Sequence, residues 1–248
     1  MFFKILAGLA LVAQFVINFL YMPKDTSDEH STLITPPGIT FGICWSIIYI
    51  LQVVQIMYIF IKIDEKETEN KVLLATQTLM SVFNLLWVLL FELYRNWLGQ
   101  MIDIIILYFV LLFHLTYTRT LKRGWDILIK LFGGIYAGWI TQAQMIAITV
   151  YSNSLDKSKE LKLCRVLLIA SVVLDVLVTF VFKNGYVCVP QFIAFLTSLS
   201  ALADRTLHTT AIVGMVLDVL LIIWQVGYEI YSWKKFRSNV RYTQLVYV

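Results

Sequence analysis

The side chains in this 248-residue chain whose types could do chemistry lie inside its apolar runs. Asp175 and Asp218 stand near the middle of two such runs, Asp103 near the start of another, and His114 three helical turns further on. That spacing puts Asp103 and His114 on one helix face. An ionisable group at membrane depth is costly and is read first as part of a proton or ion path. These four residues are therefore candidate proton or ion sites. The plainer reading is a protonated aspartic acid hydrogen-bonded to a neighbouring hydroxyl or carbonyl. The string VLDVL occurs at 173–177 and again at 216–220, with one apolar run between, which places Asp175 and Asp218 at similar depth.

A second set could bind rather than react. Trp45, Tyr49 and Gln52 recur at i, i+4 and i+7, Asn84 and Trp87 at i and i+3, and Tyr136, Trp139 and Ala143 form another stripe, with Gln142 beside Trp139. Such spacing gathers flat rings and amides on single helix faces. A few hydrogen-bonding groups among aromatic rings suit a rigid, mostly apolar ligand. The same groups also serve to pack helix on helix, since Asn and Gln join membrane helices. No catalytic residue is assigned, because there is no nucleophile motif and no Gly-rich phosphate loop. The histidines His30, His114 and His208 lack metal-ligand spacing, so no metal and no cofactor is expected. Cys44, Cys164 and Cys188 form no pairing framework.

The elements that must carry these residues are membrane helices. Hydrophobic residues make up 59% of the chain and charged residues 15%, against about 25% charged in soluble domains. Eight apolar runs, near 2–20, 39–61, 72–93, 99–118, 125–150, 162–182, 188–203 and 209–232, predict an all-α polytopic membrane protein with about eight transmembrane helices. The seventh is the shortest. The first is read as a retained helix, since Asn18-Phe19-Leu20-Tyr21 offers no signal-peptide cleavage site. Of the Lys and Arg residues, thirteen fall on the face of the N-terminus and seven on the other, which predicts both termini in the cytoplasm. The net charge of +4 follows from those loops and marks no nucleic-acid binder. Glu92, Arg95 and Asp126 fall at span ends and are read as interfacial. Gly134 and Gly138 form a GxxxG pair that permits close helix approach, within the chain or in a homodimer.

Three motifs in order carry a family resemblance. Pro36-Pro37-Gly38 opens a helix reading PPG-x-x-F-x-x-x-W-x-x-x-Y; N-x-x-W at 84–87 is followed by I-D at 102–103; and Y-x-G-W-I-T spans 136–141. This pattern resembles the TspO/MBR family of tryptophan-rich sensory and translocator proteins. The resemblance covers roughly residues 1–151 and implies a five-helix bundle there. It leaves a polar linker at 152–162, a three-helix membrane extension at 163–233 and a basic tail at 234–248, as in a longer form of the family. Trp45 and Trp139 fall where the family keeps tryptophans in its pocket. Ile34 and Ile39 stand where the family usually carries tryptophans, and Ala143–Ile148 lacks the family's late Asn and Tyr.

The resemblance implies binding, sensing or trafficking of a hydrophobic small molecule, porphyrin- or sterol-like, in a multi-pass membrane protein in contact with the lipid bilayer. Two alternatives stand beside it. One is a secondary transporter coupled to protons or ions through Asp175 and Asp218. The other is a membrane enzyme that degrades porphyrin, which the absence of a nucleophile or cofactor motif disfavours.

Overall fold

A computed structural model describes residues 2–21, 32–62, 68–119 and 127–246. Asp126 and most of the loop before Pro36 lie outside the described residues. The chain folds into eight helices: α1 Phe2–Tyr21, α2 Gly38–Lys62, α3 Thr68–Val88, α4 Trp97–Thr118, α5 Ile127–Leu155, α6 Glu160–Phe182, α7 Cys188–Ser198 and α8 Arg205–Val246. α3 continues into a π-helical turn, Leu89–Leu93, and Asn96 then caps α4 by accepting from the Gly99 backbone N–H at 2.9 Å.

Side-chain contacts fix the direction of each helix. Lys4 at the start of α1 donates to the Phe60 carbonyl near the end of α2, and Asn18 at the end of α1 donates to Asn84 late in α3. Thr40 at the start of α2 meets Thr197 at the end of α7 at 2.6 Å. Arg165 early in α6 grips Asp204 just before α8, while the Gly185 N–H after α6 donates to Gln225 midway along α8. α6 and α8 therefore run parallel, and α7 with its flanks returns between them.

Among the described residues, six helices are long and apolar enough to cross a membrane: α1, α2, α3, α4, α6 and α8. Their outward residues include Leu9, Ile50, Phe109, Val173 and Leu220, all exposed. These face lipid. The chain is a multi-pass integral membrane protein. α5 is long enough but less apolar, and its surroundings explain this. Every residue from Phe132 to Ala143 is buried, so the helix meets protein on all sides and carries Gly, Thr and Gln where its neighbours carry Leu and Ile. α7, with eleven residues, spans about 16 Å as a helix and completes its return in the non-helical stretch before Asp204.

The GxxxG pair is used inside the chain. A side chain at Gly138 would collide with the Val187 carbonyl, and one at Gly134 with Asn184 and Tyr186. Both glycines let the turn between α6 and α7 lie against α5.

Asp204 is a hinge of charge at the α7–α8 junction. It accepts from the backbone N–H groups of Thr206 and Leu207, capping α8, and takes a two-point grip from Arg165 at 3.2 and 2.6 Å. The Arg165 guanidinium, then the backbone N–H groups, hold its carboxyl down at about 2. Asp204 in an unfolded chain titrates near ~3.9. Its stabilising contribution is therefore complete above that value and is lost as pH falls toward 2. Arg165→Gln is expected to melt below the parent at neutral pH, with the gap closing as the pH is lowered through that window. A gap that stays constant down to the acid limit would contradict this assignment.

Candidate functional site

Trp45 is the hub of the aromatic set. Its ring centroid lies 5.3 Å from that of Tyr49, nearly parallel, and 6.1 Å from each of Trp87, Tyr136 and Trp139. Phe41 packs edge-on against Trp139 at 5.1 Å. All are within the range of favourable aromatic pairs. α2, α3 and α5 thus bring together the rings that the sequence stripes predict. They meet by packing on one another: Tyr136 and Trp139 are fully buried, and Ala143 is buried beside them.

Gln52 and Asn84 join a polar ladder that the sequence reading missed. Gln14 and Gln52 exchange amide hydrogen bonds at 3.3 and 3.0 Å, Gln52 also donates to Ser81 at 3.2 Å, and Asn18 donates to Asn84 at 3.0 Å. Gln14 and Asn18 are i, i+4 amides in an otherwise apolar run, a signal of helix–helix contact in lipid. They tie α1 across α2 and α3.

The cavity lies on the outer side of this cluster. It holds about 700 Å³ between α1 and α2, with Phe15, Asn18 and Phe19 on one wall and Gly42, Trp45 and Tyr49 on the other. Its rim is open toward lipid, where Phe19 is 86% exposed, while Trp45 at the floor is 5% exposed. Phe15 meets Tyr49 edge-on at 5.1 Å. Of the residues predicted to bind ligand, Trp45 and Tyr49 line this space. Trp87, Tyr136, Trp139 and Ala143 stand behind them in the core. Among the described residues, the indole N–H groups of Trp87 and Trp139 are buried without a hydrogen-bond partner. Such donors are costly to leave unpaired.

The four ionisable candidates divide. Asp103 and His114 are both buried on α4, but they lie about 16 Å apart along its axis and among the described residues share no partner. His114 Nδ1 pairs with Thr76 Oγ1 at 3.0 Å, and its ring packs edge-on against Phe132. Asp175 and Asp218, by contrast, converge on one side chain of α7. With its NH2 turned toward the two carboxyl groups, the Gln191 amide reaches Asp218 Oδ1 at 3.1 Å and Asp175 Oδ2 at 3.2 Å, and its oxygen faces Gln142 Nε2 at 3.0 Å, while Ser171 Oγ donates to the Leu168 carbonyl at 2.8 Å. Gln142 therefore turns toward the carboxylates and away from the aromatic cluster. Gln191 went unremarked in the sequence, although an amide in the run CVPQFIAFL carries the same signal as Gln14.

Long apolar helices packed around a largely buried aromatic core define an α-helical polytopic membrane protein. A family model described as TSPO-like protein matches residues 3–224, and the chain belongs to that family, in keeping with its TspO/MBR motifs. The match continues past α5 through α6, α7 and much of α8. No curated protein and no solved structure matches the chain.

Proposed function

We propose that this protein binds a rigid, hydrophobic small molecule that reaches it sideways from the lipid between α1 and α2. The cavity of about 700 Å³ with Trp45 at its floor carries this reading. Its volume lies in the range of small-molecule sites, roughly 300–1,000 Å³. Its walls are apolar and aromatic, and Asn18 and Ser46 supply polar contacts. Family membership favours a porphyrin- or sterol-like ligand. The aromatic core behind Trp45 gives the floor a fixed geometry, so little ordering is needed on binding.

Gly42 supplies a direct test. It lines the cavity, and a side chain added there meets nothing within 4 Å. Gly42→Trp should fill the space and leave the fold intact. We expect it to weaken binding of protoporphyrin or cholesterol at least tenfold in a tryptophan-quenching titration, with melting unchanged. Trp45→Ala should cost about 1–3 kcal/mol of binding, the scale of one buried aromatic contact. Trp97→Ala, at the start of α4, should leave affinity unchanged. Equal losses at Trp45 and Trp97, or unaltered binding in Gly42→Trp, would count against the α1–α2 site.

A further inference from the structure

Four helices meet around Asp175 and Asp218, remote in the chain from the α1–α2 cavity. Asp175 comes from α6, Asp218 from α8, Gln191 from α7, and Gln142 with Thr141 from α5. Asp175 is 0% exposed and Asp218 1%. The groups facing them are polar but not basic. Ser171 and Thr179 stand on α6, and the Cys188 thiol from α7 lies against Asp218. The Tyr108 ring from α4 approaches Asp175, as does Thr141, whose hydroxyl is already donated to the Ala137 carbonyl. Among the described residues, neither carboxylate has an ion-pair partner.

We propose that Asp175, Asp218 and Gln191 form a proton-binding site, at which a pair of carboxyl groups takes up and releases one proton inside the membrane. Gln191 occupies Asp175 Oδ2 and Asp218 Oδ1. The other oxygens, Asp175 Oδ1 and Asp218 Oδ2, are buried and among the described residues have no hydrogen-bond partner. These are the positions where a proton can settle while both amide bonds persist. Two negative charges held by one amide in a low-dielectric interior repel each other and lose solvation together, and a single proton relieves both costs. Release reverses the step: the proton leaves, and the amide N–H groups hold the two carboxylates. The amide also selects among cations. Gln142 donates to the Gln191 oxygen, which turns its NH2 toward the pair. Those hydrogens repel a metal cation that would require oxygen ligands.

The test uses full-length protein in lipid nanodiscs and infrared difference spectra recorded as the pH is stepped. The parent should show a protonated-carboxyl band that disappears on alkalinisation, with the same midpoint in sodium and in choline buffers. A midpoint that depends on sodium would make the pair a sodium site and overturn the proposal, as would a band that does not titrate. Asp175→Asn and Asp218→Asn should each shift the band's midpoint or abolish it, while Asp103→Asn should leave it in place. Gln191→Leu should move the midpoint to higher pH by about one unit or more, because an amide N–H donated to a carboxylate favours the charged form. Identical midpoints in the parent and both single Asn variants would also overturn it. The sodium comparison needs no variant, so a failure to fold does not shield the claim. Ligand binding at the α1–α2 cavity should be unchanged in these variants, which separates this proposal from that one.

Discussion

Trp139→Ala is expected to destabilise the protein by about 2–3 kcal/mol, without acting on a ligand site directly. Trp139 is fully buried, edge-on to Phe41 at 5.1 Å and to Trp45 at 6.1 Å. In lipid the loss is mainly one of packing, since a helix that leaves its neighbours still finds apolar surroundings. A retained void of roughly 100 Å³ at about 24 cal/mol per Å³ gives about 2.4 kcal/mol. For a chain of this size that lowers the melting temperature by about 5–10 °C. Trp139→Phe should lose much less, because it keeps most of the ring and removes an indole N–H that has no partner among the described residues. Thermal melting in detergent separates the two outcomes. If Trp139→Ala melts with the parent while porphyrin binding collapses, Trp139 is a ligand contact and the core assignment is wrong.

The contrast between Trp139 and Trp45 shows how far the sequence could be read. Helical spacing told which residues share a face, so the meeting of Trp45, Tyr49, Trp87, Tyr136 and Trp139 was legible in the stripes. Whether a ring faces a void or another ring depends on how closely two helices approach, and nothing in either helix alone records that. The cavity sits one layer further out because α1 stands off α2 at Phe19 and Gly42. The extension repeats the point. Similar depth for Asp175 and Asp218 followed from the VLDVL echo and one intervening span. Their convergence on Gln191 depends on α7, a short helix packed against α8 and α5. Buried α5 was read as one more span of the bundle. Its glycines and amides could also have marked its central stretch, Phe132 to Ala143, as surrounded by protein.

Gly138 carries the other large effect. In a helix interior Gly→Ala normally stabilises by about 0.5–1 kcal/mol. At Gly138 the sign should reverse, because the new methyl group would meet the Val187 carbonyl oxygen, with the Val187 carbonyl carbon only 2.8 Å away. Backbone gives way only if the turn moves, and the turn is held on two sides and braced within itself. Asn184 donates to the Lys130 carbonyl at 2.9 Å and accepts from the Tyr186 N–H at 3.2 Å. The Gly185 N–H donates to Gln225 at 2.9 Å. Gly185 itself lies against α8, where a side chain would come within 2.7 Å of the Leu221 carbonyl. The segment is thus clamped between α5 and α8, and retreat from one drives it into the other. Overpacking of this kind costs about 1–3 kcal/mol, and the lack of a soft side chain to yield puts Gly138→Ala at the upper end. Gly227→Ala, where the added group meets nothing within 4 Å, serves as the control and should melt at or slightly above the parent. The damage should also travel. α7 begins at Cys188, the residue after Val187, and Gln191 follows one turn later. A displaced turn therefore moves the amide off Asp175 and Asp218, and Gly138→Ala should shift the midpoint of their carboxyl band as well as the melting temperature. A variant that melts like the parent would mean that α5 and the turn are not in backbone contact, and the close packing assigned to the GxxxG pair would have to be abandoned.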